Sequence, residues 1–166
     1  ELIKSLMESF SGKTGVIRPT FEEYPNRYSV EDEVVFTPSN DNYTYSVEEL
    51  IEFYTCNKVD NIIIINPDNP SGNYLKKEEI IRLIKWTDGQ GIKLVVDESF
   101  ADFSDEPDNS LIEQKFIETY RRLYVMKSIS KSYGVPGLRL GILVSSDTEA
   151  IAAMKKDVAI WNINSF

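Results

Sequence analysis

The chain has 166 residues, 42% of them apolar and 27% charged. That is enough to bury one sizeable core at roughly 100–200 residues per domain, and it excludes a disordered tail or a fibrous repeat. Eighteen Lys and Arg stand against 27 Asp and Glu, a net charge of −9. With a sequence pI of 4.6, the chain lacks the basic face that nucleic acid or an anionic membrane requires. Histidine is absent, and Cys56 is the single cysteine. Ser-His-Asp and Cys-His catalysis, His-ligated zinc, thiolate metal clusters and an internal disulfide framework are therefore excluded. No apolar run approaches the ~18 residues of a membrane span. The opening Glu1-Leu2-Ile3-Lys4 lacks the basic start and apolar middle of a signal peptide. The chain opens in a helical pattern and closes at Asn164-Ser165-Phe166 without a terminal signal. It reads as a piece of a longer, cytoplasmic protein.

Leu2, Ile3, Leu6, Met7 and Phe10 recur at helical spacing. Thr14–Arg18 reads as a short strand, Phe21–Tyr28 as one or two helical turns after Pro19-Thr20, and Glu33–Thr37 as a strand. Tyr45–Thr55 reads as a helix, with Ser46 and Glu49 spaced for a capping box. Asn61–Asn66 is the clearest strand. Its four consecutive isoleucines do not alternate with polar residues, so both faces should be buried, as in a parallel sheet. A turn-rich stretch, Pro67 to Gly72, leads to a helix over Lys76–Gln90 whose inward side is Ile80, Ile81, Leu83, Ile84 and Trp86, ended by Gly89 and Gly91. Lys93–Glu98 is a second buried strand. A helix near Leu111–Tyr120, strands at Leu123–Lys127 and Arg139–Val144, and a helix over Asp147–Val158 complete the pattern. Strand and helix alternate without internal repeat or linker, which predicts a single domain over 1–166. The fold class is α/β, a three-layer α/β/α arrangement around a mostly parallel sheet.

In such sheets ligands collect at the carboxyl ends of the strands, and the unusual residues lie there. Asn66-Pro67-Asp68-Asn69-Pro70-Ser71-Gly72 is a turn stiffened by two prolines. It is either a plain connecting loop or a frame that aims the Asn69 amide at a ligand. Asp97-Glu98-Ser99-Phe100 places a carboxylate at the end of a buried strand, costly unless a cation or a capped backbone meets it. Ser128 through Gly141 gathers hydroxyls, Lys131 and Arg139 on a loop with three glycines and a proline. Hydroxyls and an arginine suit a phosphate. A partly buried lysine suits Schiff-base chemistry. One ligand satisfies all three loops: a phosphate, a cationic ring nitrogen and an aldehyde, which is pyridoxal 5′-phosphate.

The combination of Asn-Pro-x-Asn-Pro-x-Gly, Asp-Glu-x-aromatic and Ser-x-Ser-Lys with Arg eight residues later resembles the large domain of class I/II (fold type I) pyridoxal-phosphate aminotransferases. The nearest likeness is to the branch containing histidinol-phosphate aminotransferase and threonine-phosphate decarboxylase. Each motif alone is weak; together they are specific, and the likeness covers essentially the whole chain. The resemblance implies that Lys131 takes the cofactor aldehyde and moves the substrate proton, and that Asp97 pairs with the pyridine nitrogen. It implies that Asn69 donates to the cofactor's O3′, that Ser128, Ser130 and Arg139 hold the phosphate, and that Phe21 stacks on the ring. It implies cis peptide bonds at Arg18-Pro19 and Asn69-Pro70, a small amino-acid or amino-phosphate substrate, and a homodimer for the full-length protein, with no metal in the site.

The chain departs from that pattern at Phe100, where such aminotransferases usually carry a tyrosine that donates a second hydrogen bond to O3′. Asp97-Glu98-Ser99-Phe100 followed by Asp102-Phe103 is similar to threonine-phosphate decarboxylases. An upstream phosphate loop, a C-terminal small domain bearing the arginine for the substrate carboxylate, and a tyrosine from the neighbouring subunit belong to the family. None is found in these 166 residues, so the piece alone is expected to turn over weakly or not at all. Aminotransferase, decarboxylase and a non-catalytic dimerisation module stand as the three functional expectations. The third would be marked by loss of Lys131 or Asp97, and both are present. Other motifs are decoys. Ser128-x-x-Lys131 with Lys13-Thr14-Gly15 is in the wrong order for a penicillin-binding protein. Gly12-Lys13-Thr14 lacks the upstream glycine of a phosphate loop. The acidic stretch Asp102–Asp108 is expected to be a solvated turn, Cys56 a packing residue and Tyr133 structural.

Overall fold

The computed structural model describes residues 1–106 and 109–157. Within them a six-stranded sheet has the order β2-β1-β3-β4-β5-β6. The strands are β1 (Thr14–Ile17), β2 (Glu33–Phe36), β3 (Asn61–Ile65), β4 (Lys93–Asp97), β5 (Leu123–Ser128) and β6 (Gly141–Val144). The first five run parallel, and β6 pairs antiparallel with β5. That reversal follows from its connection, which holds only one helical turn and one 3-10 turn between the two strands. A parallel return would need an element long enough to cross the sheet.

The isoleucine run behaves as its sequence requires. Ile62 and Ile64 face one layer, Ile63 and Ile65 the other, and all four are buried. Each such side chain contributes about 1.5–3 kcal/mol relative to exposure. On one face lie α2 (Val47–Cys56), α3 (Lys77–Gln90) and α4 (Gln114–Thr119), which bury Leu50, Tyr54, Leu83, Ile84 and Phe116 against the sheet. On the other face α1 (Leu2–Glu8) and α6 (Thr148–Met154) bury Leu6, Met7 and Met154. The outcome is the expected three-layer α/β/α fold. Gly15 makes one close approach possible: a Cβ there would lie 2.5 Å from Cε1 of Tyr54, whose hydroxyl donates to the Val16 carbonyl at 3.0 Å.

The capping box of α2 forms as predicted. The Glu49 N–H donates to Ser46 Oγ at 3.3 Å, and the Ser46 N–H donates to Glu49 Oε2 at 2.8 Å. Other expectations are corrected. Gly89 lies inside α3, and Gly91 alone ends it, in the left-handed conformation (φ 76°). Only Pro25–Arg27 of the Phe21–Tyr28 segment is helical, as a 3-10 turn. The final strand starts at Gly141 rather than Arg139, because Arg139 is itself left-handed (φ 53°). Cys56 is exposed, not packed: it is the last residue of α2, whose buried residues are Val47, Leu50 and Tyr54. Tyr133 is 73% exposed and so supports no core. The final predicted helix covers Thr148–Met154; Val158, with which it was expected to end, lies outside the described residues. Among the described residues no helix is long and apolar enough to cross a membrane.

Parallel register decides what meets what. Ile65 of β3 is opposite Asp97 of β4, which is opposite Met126 of β5. The three loops singled out by sequence therefore leave the sheet at the same edge.

Candidate active site

The loop after β3 uses its polar groups in two ways. Asn66 is buried and trades two 2.8 Å hydrogen bonds with the backbone of Leu75: its Nδ2 donates to the carbonyl, and the Leu75 N–H donates to its Oδ1. Asp68 is buried and accepts from the Ser71 hydroxyl; burial pushes its carboxyl above the usual range, partly offset by that bond. Asn69 is half-buried and lines a cavity of about 670 Å³ that also meets Phe100, Tyr74, Phe103 and Glu106. No side-chain hydrogen bond engages the Asn69 amide among the described residues. The turn is thus held by its neighbours, and the one amide it leaves uncommitted faces open space. Asn69-Pro70 and Arg18-Pro19 are cis as expected, and so is Asn66-Pro67.

Asp97 ends β4 and is 5% exposed. Its Oδ1 accepts from the Ser99 N–H at 2.9 Å, and its Oδ2 accepts from the Tyr24 hydroxyl at 2.7 Å. Tyr24 is wholly buried, and its phenol is pushed far up by burial first and by the Asp97 charge second. Sequence reading missed it, because a tyrosine in a turn carries no local sign of a partner 73 residues away. Glu98 was likewise not given a role of its own. Its buried carboxylate accepts from the Leu111 N–H at 2.6 Å and the Ser110 hydroxyl at 2.7 Å, pinning the segment that leads into α4. Burial raises its carboxyl pKa.

Beyond β5, Ser128 stands at the start of the single turn α5 (Ile129–Ser132) without a side-chain capping bond; the sequence had suggested this segment only as loop. The Ser128 N–H donates to Ser99 Oγ at 3.1 Å, tying this segment to the Asp97 turn. Lys131 lies on α5 with its Nζ 3.8 Å from the Phe100 ring centroid and 5.9 Å from that of Phe21. Partial burial lowers its pKa, and the negative charge of Asp97 opposes the shift. Among the described residues Lys131 and Asp97 form no ion pair, but the amine lies within the field of the carboxylate. Phe21, 40% exposed, meets Tyr24 edge-on with centroids 6.5 Å apart.

The rest of the loop is less drawn in. Ser130 is buried, and its hydroxyl donates to the Leu140 carbonyl at 3.4 Å. Arg139 is exposed, with its guanidinium 3.4 Å from the Pro136 carbonyl and no carboxylate partner among the described residues. Lys131 thus meets the Phe100 and Phe21 rings, Asp97 is linked to Phe21 through Tyr24, Ser128 is tied to Ser99, and Asn69 shares a cavity with Phe100, while Ser130 is buried beside Lys131 on α5 and Arg139 is exposed. The acidic stretch differs from a plain solvated turn. Asp102 pairs with Lys127 at 2.7 Å, which holds its carboxyl below the usual range. Glu106 accepts from the Tyr74 hydroxyl at 2.7 Å; Pro107 and Asp108 lie outside the described residues.

The donor set fits a planar heterocycle bearing an aldehyde and a phosphate. Asp97 suits a ring cation, Lys131 an aldehyde, Phe21 a ring face, and uncommitted amide, hydroxyl and guanidinium groups suit anionic oxygens.

Known proteins agree. The model of the family "Aminotransferase class I and II" matches residues 12–166. The CMP-5'-(3-aminopropyl)phosphonate synthase of Streptomyces rubellomurinus is 32% identical over 166 residues, covering 100% of this chain and 26% of its own length. The L-serine phosphate decarboxylase of Sulfurospirillum multivorans is 31% identical over 169 residues, covering 99% of this chain and 43% of its own. The crystal structure of histidinol-phosphate aminotransferase from Clostridium acetobutylicum superposes with a TM-score of 0.80 at 27% identity, over 98% of this chain and 48% of that one. The chain thus spans less than half the length of the relatives it matches. With the motifs, the sheet order and the family model pointing the same way, the chain belongs to the aminotransferase class I and II family, whose cofactor is pyridoxal 5′-phosphate.

Proposed function

We propose that the protein containing this chain is a pyridoxal-phosphate-dependent aminotransferase that moves an amino group between an amino acid or amino-phosphate and a 2-oxo acid. What supports this reading is the Lys131 amine, partly desolvated, 3.8 Å from the Phe100 ring and within the field of the buried Asp97 carboxylate. When bound, pyridoxal phosphate supplies an aldehyde for amines and a ring that delocalises an electron pair. Each residue has a task that follows from its chemistry. Asp97, whose two oxygens each accept a hydrogen bond, would pair with the ring nitrogen. The Lys131 amine would hold the aldehyde and would serve as the base that moves a proton at the substrate carbon. Asn69 donates to the phenolic oxygen. Ser128, Ser130 and Arg139 hold the phosphate, and Phe21 covers one face of the ring and excludes water.

The second reading is decarboxylation. It is favoured by Phe100, which offers no hydroxyl donor, and by the relative whose name is L-serine phosphate decarboxylase. The relatives' names share a phosphorylated or phosphonylated amine, so the substrate class proposed is an amino-phosphate. The whole protein is proposed to work as a cytoplasmic homodimer and to need parts beyond these residues for turnover.

The test uses the intact protein with added pyridoxal phosphate. A visible band that persists on gel filtration, and that Lys131→Ala abolishes, is the expected result. Supplied with amino-phosphates and 2-oxo acids, an aminotransferase yields a new amino acid, whereas a decarboxylase releases CO2. Absence of a band in the native protein overturns both readings and leaves the non-catalytic dimerisation module.

A further inference from the structure

Asp97 is the last residue of β4, and its side chain points to the same sheet face as Val95, two residues earlier. That face is otherwise apolar: Ile63, Ile65, Tyr124 and Met126 surround the place where the carboxylate emerges. A carboxylate there is costly unless its oxygens are met by donors. Two are supplied, and they differ in kind. The Ser99 N–H, 2.9 Å from Oδ1, is local and comes with the turn that follows the strand. The Tyr24 hydroxyl, 2.7 Å from Oδ2, comes from the connection after β1 and is wholly buried. Met126 Sδ, 3.4 Å from the same hydroxyl, is a weak acceptor, and no other acceptor engages the Tyr24 proton among the described residues. The hydroxyl therefore has one strong use, donation to Oδ2.

Two donors on two different oxygens fix the rotation of a carboxylate that would otherwise turn about its last bond. Each oxygen retains a further lone pair. From these contacts we propose that Tyr24 is a positioning residue of the cofactor site: its hydroxyl orients Asp97 so that a free lone pair meets the ring nitrogen. The inference rests on the reading that Asp97 faces that nitrogen. Tyr24 also contacts Phe21 edge-on, so a single buried ring aligns the group at the edge of the heterocycle and the aromatic that covers its face.

The experiment is a double-mutant cycle in the intact protein, read as the dissociation constant of pyridoxal 5′-phosphate. Tyr24→Phe keeps the ring and removes only the hydroxyl. Loss of one hydrogen bond to a charged group predicts about a tenfold weaker constant when Asp97 is present. In the Asp97→Asn background the same substitution should change it by less than about twofold, because the charge it orients is gone. Equal weakening in both backgrounds means a structural role and overturns the proposal, as does no weakening with Asp97 present. Asp97→Asn that by itself leaves the constant at the native value instead overturns the site assignment, and the Tyr24 role with it. A second measurement needs no Tyr24 variant. In the native protein the buried hydroxyl proton should give a slowly exchanging downfield resonance, missing in Asp97→Asn, that moves when pyridoxal phosphate is added. A resonance unmoved at saturation contradicts the proposal even where Tyr24→Phe does not fold.

Discussion

At the β4 end of the site Asp97 is buried and both of its oxygens are bonded, while at the β5 end Lys131 and Arg139 stand largely in solvent. The first half is made by the core. Asn66, Asp97, Glu98 and Tyr24 are all buried, and the groups they meet are backbone N–H, backbone carbonyl, the Ser110 hydroxyl, the Met126 sulfur or one another. The second half hangs from a few contacts: the Ser128 N–H on Ser99 Oγ, the Ile129 N–H on the Leu140 carbonyl, and the Lys127–Asp102 pair. The contrast has a physical logic. A carboxylate that must stay charged in an apolar setting has to be built in with its donors, because an unpaired buried charge is expensive. On the proposed reading, an amine that exchanges partners and a guanidinium that closes on an anion are best left with few internal bonds.

If that division holds, substitutions in the exposed half should change ligand capture and leave stability alone, and those in the buried half should change stability as well. The largest effect is expected at Lys131. Lys131→Ala should remove covalent retention of pyridoxal phosphate and lower kcat/KM about a thousandfold or more, with an unchanged melting temperature. A fall in melting temperature would erase the distinction. The direction of the Lys131 shift sharpens the same point. Because burial disfavours its ammonium, the neutral amine appears at lower pH than in an exposed lysine. pH-dependent amine labelling of cofactor-free protein should therefore reach half its maximal rate at lower pH for Lys131 than for a free lysine side chain.

Asn66→Ala is next. Losing both bonds to Leu75 and leaving a buried N–H and carbonyl unmet should destabilise the fold by about 2–3 kcal/mol, read by urea denaturation. Arg139→Ala should weaken pyridoxal phosphate binding about tenfold while leaving affinity for unphosphorylated pyridoxal and the denaturation midpoint unmoved. Equal losses for both ligands would remove Arg139 from the phosphate site. The smallest effect is at Phe100. Phe100→Tyr should add a second donor beside Asn69 and lower the pH midpoint of the cofactor's visible band by about one unit, read by spectral titration; no downward shift would contradict the assigned position of Phe100.

Much of the frame could be read locally. Ile62–Ile65 and Leu94-Val95-Val96 announced buried parallel strands, Ser46 and Glu49 announced a helix start, and motifs at strand ends singled out Lys131, Asp97 and Asn69 as candidates. The local signal ran out where a residue's role is set by a distant partner. Cys56 looked like core and is exposed, as the last residue of α2 beyond the side chains that helix buries. Asp102 looked like solvated turn and is held by Lys127. Arg139 looked like the start of a strand, but its left-handed backbone delays β6 to Gly141.

The amino-acid sequence by itself determined the periodicities, and with them which segments are strands and helices, and it determined the inventory of chemical groups at the strand ends. Those depend on neighbours a few residues apart, through the 2.0 and 3.6 repeats of the backbone. Strand order and register alone decided that β3, β4 and β5 open side by side, that β6 turns back, and that Tyr24 reaches Asp97 across 73 residues. Those outcomes belong to the packed molecule because a buried charge selects its partner from whatever the fold brings near, and nothing in the chain around Asp97 names that partner.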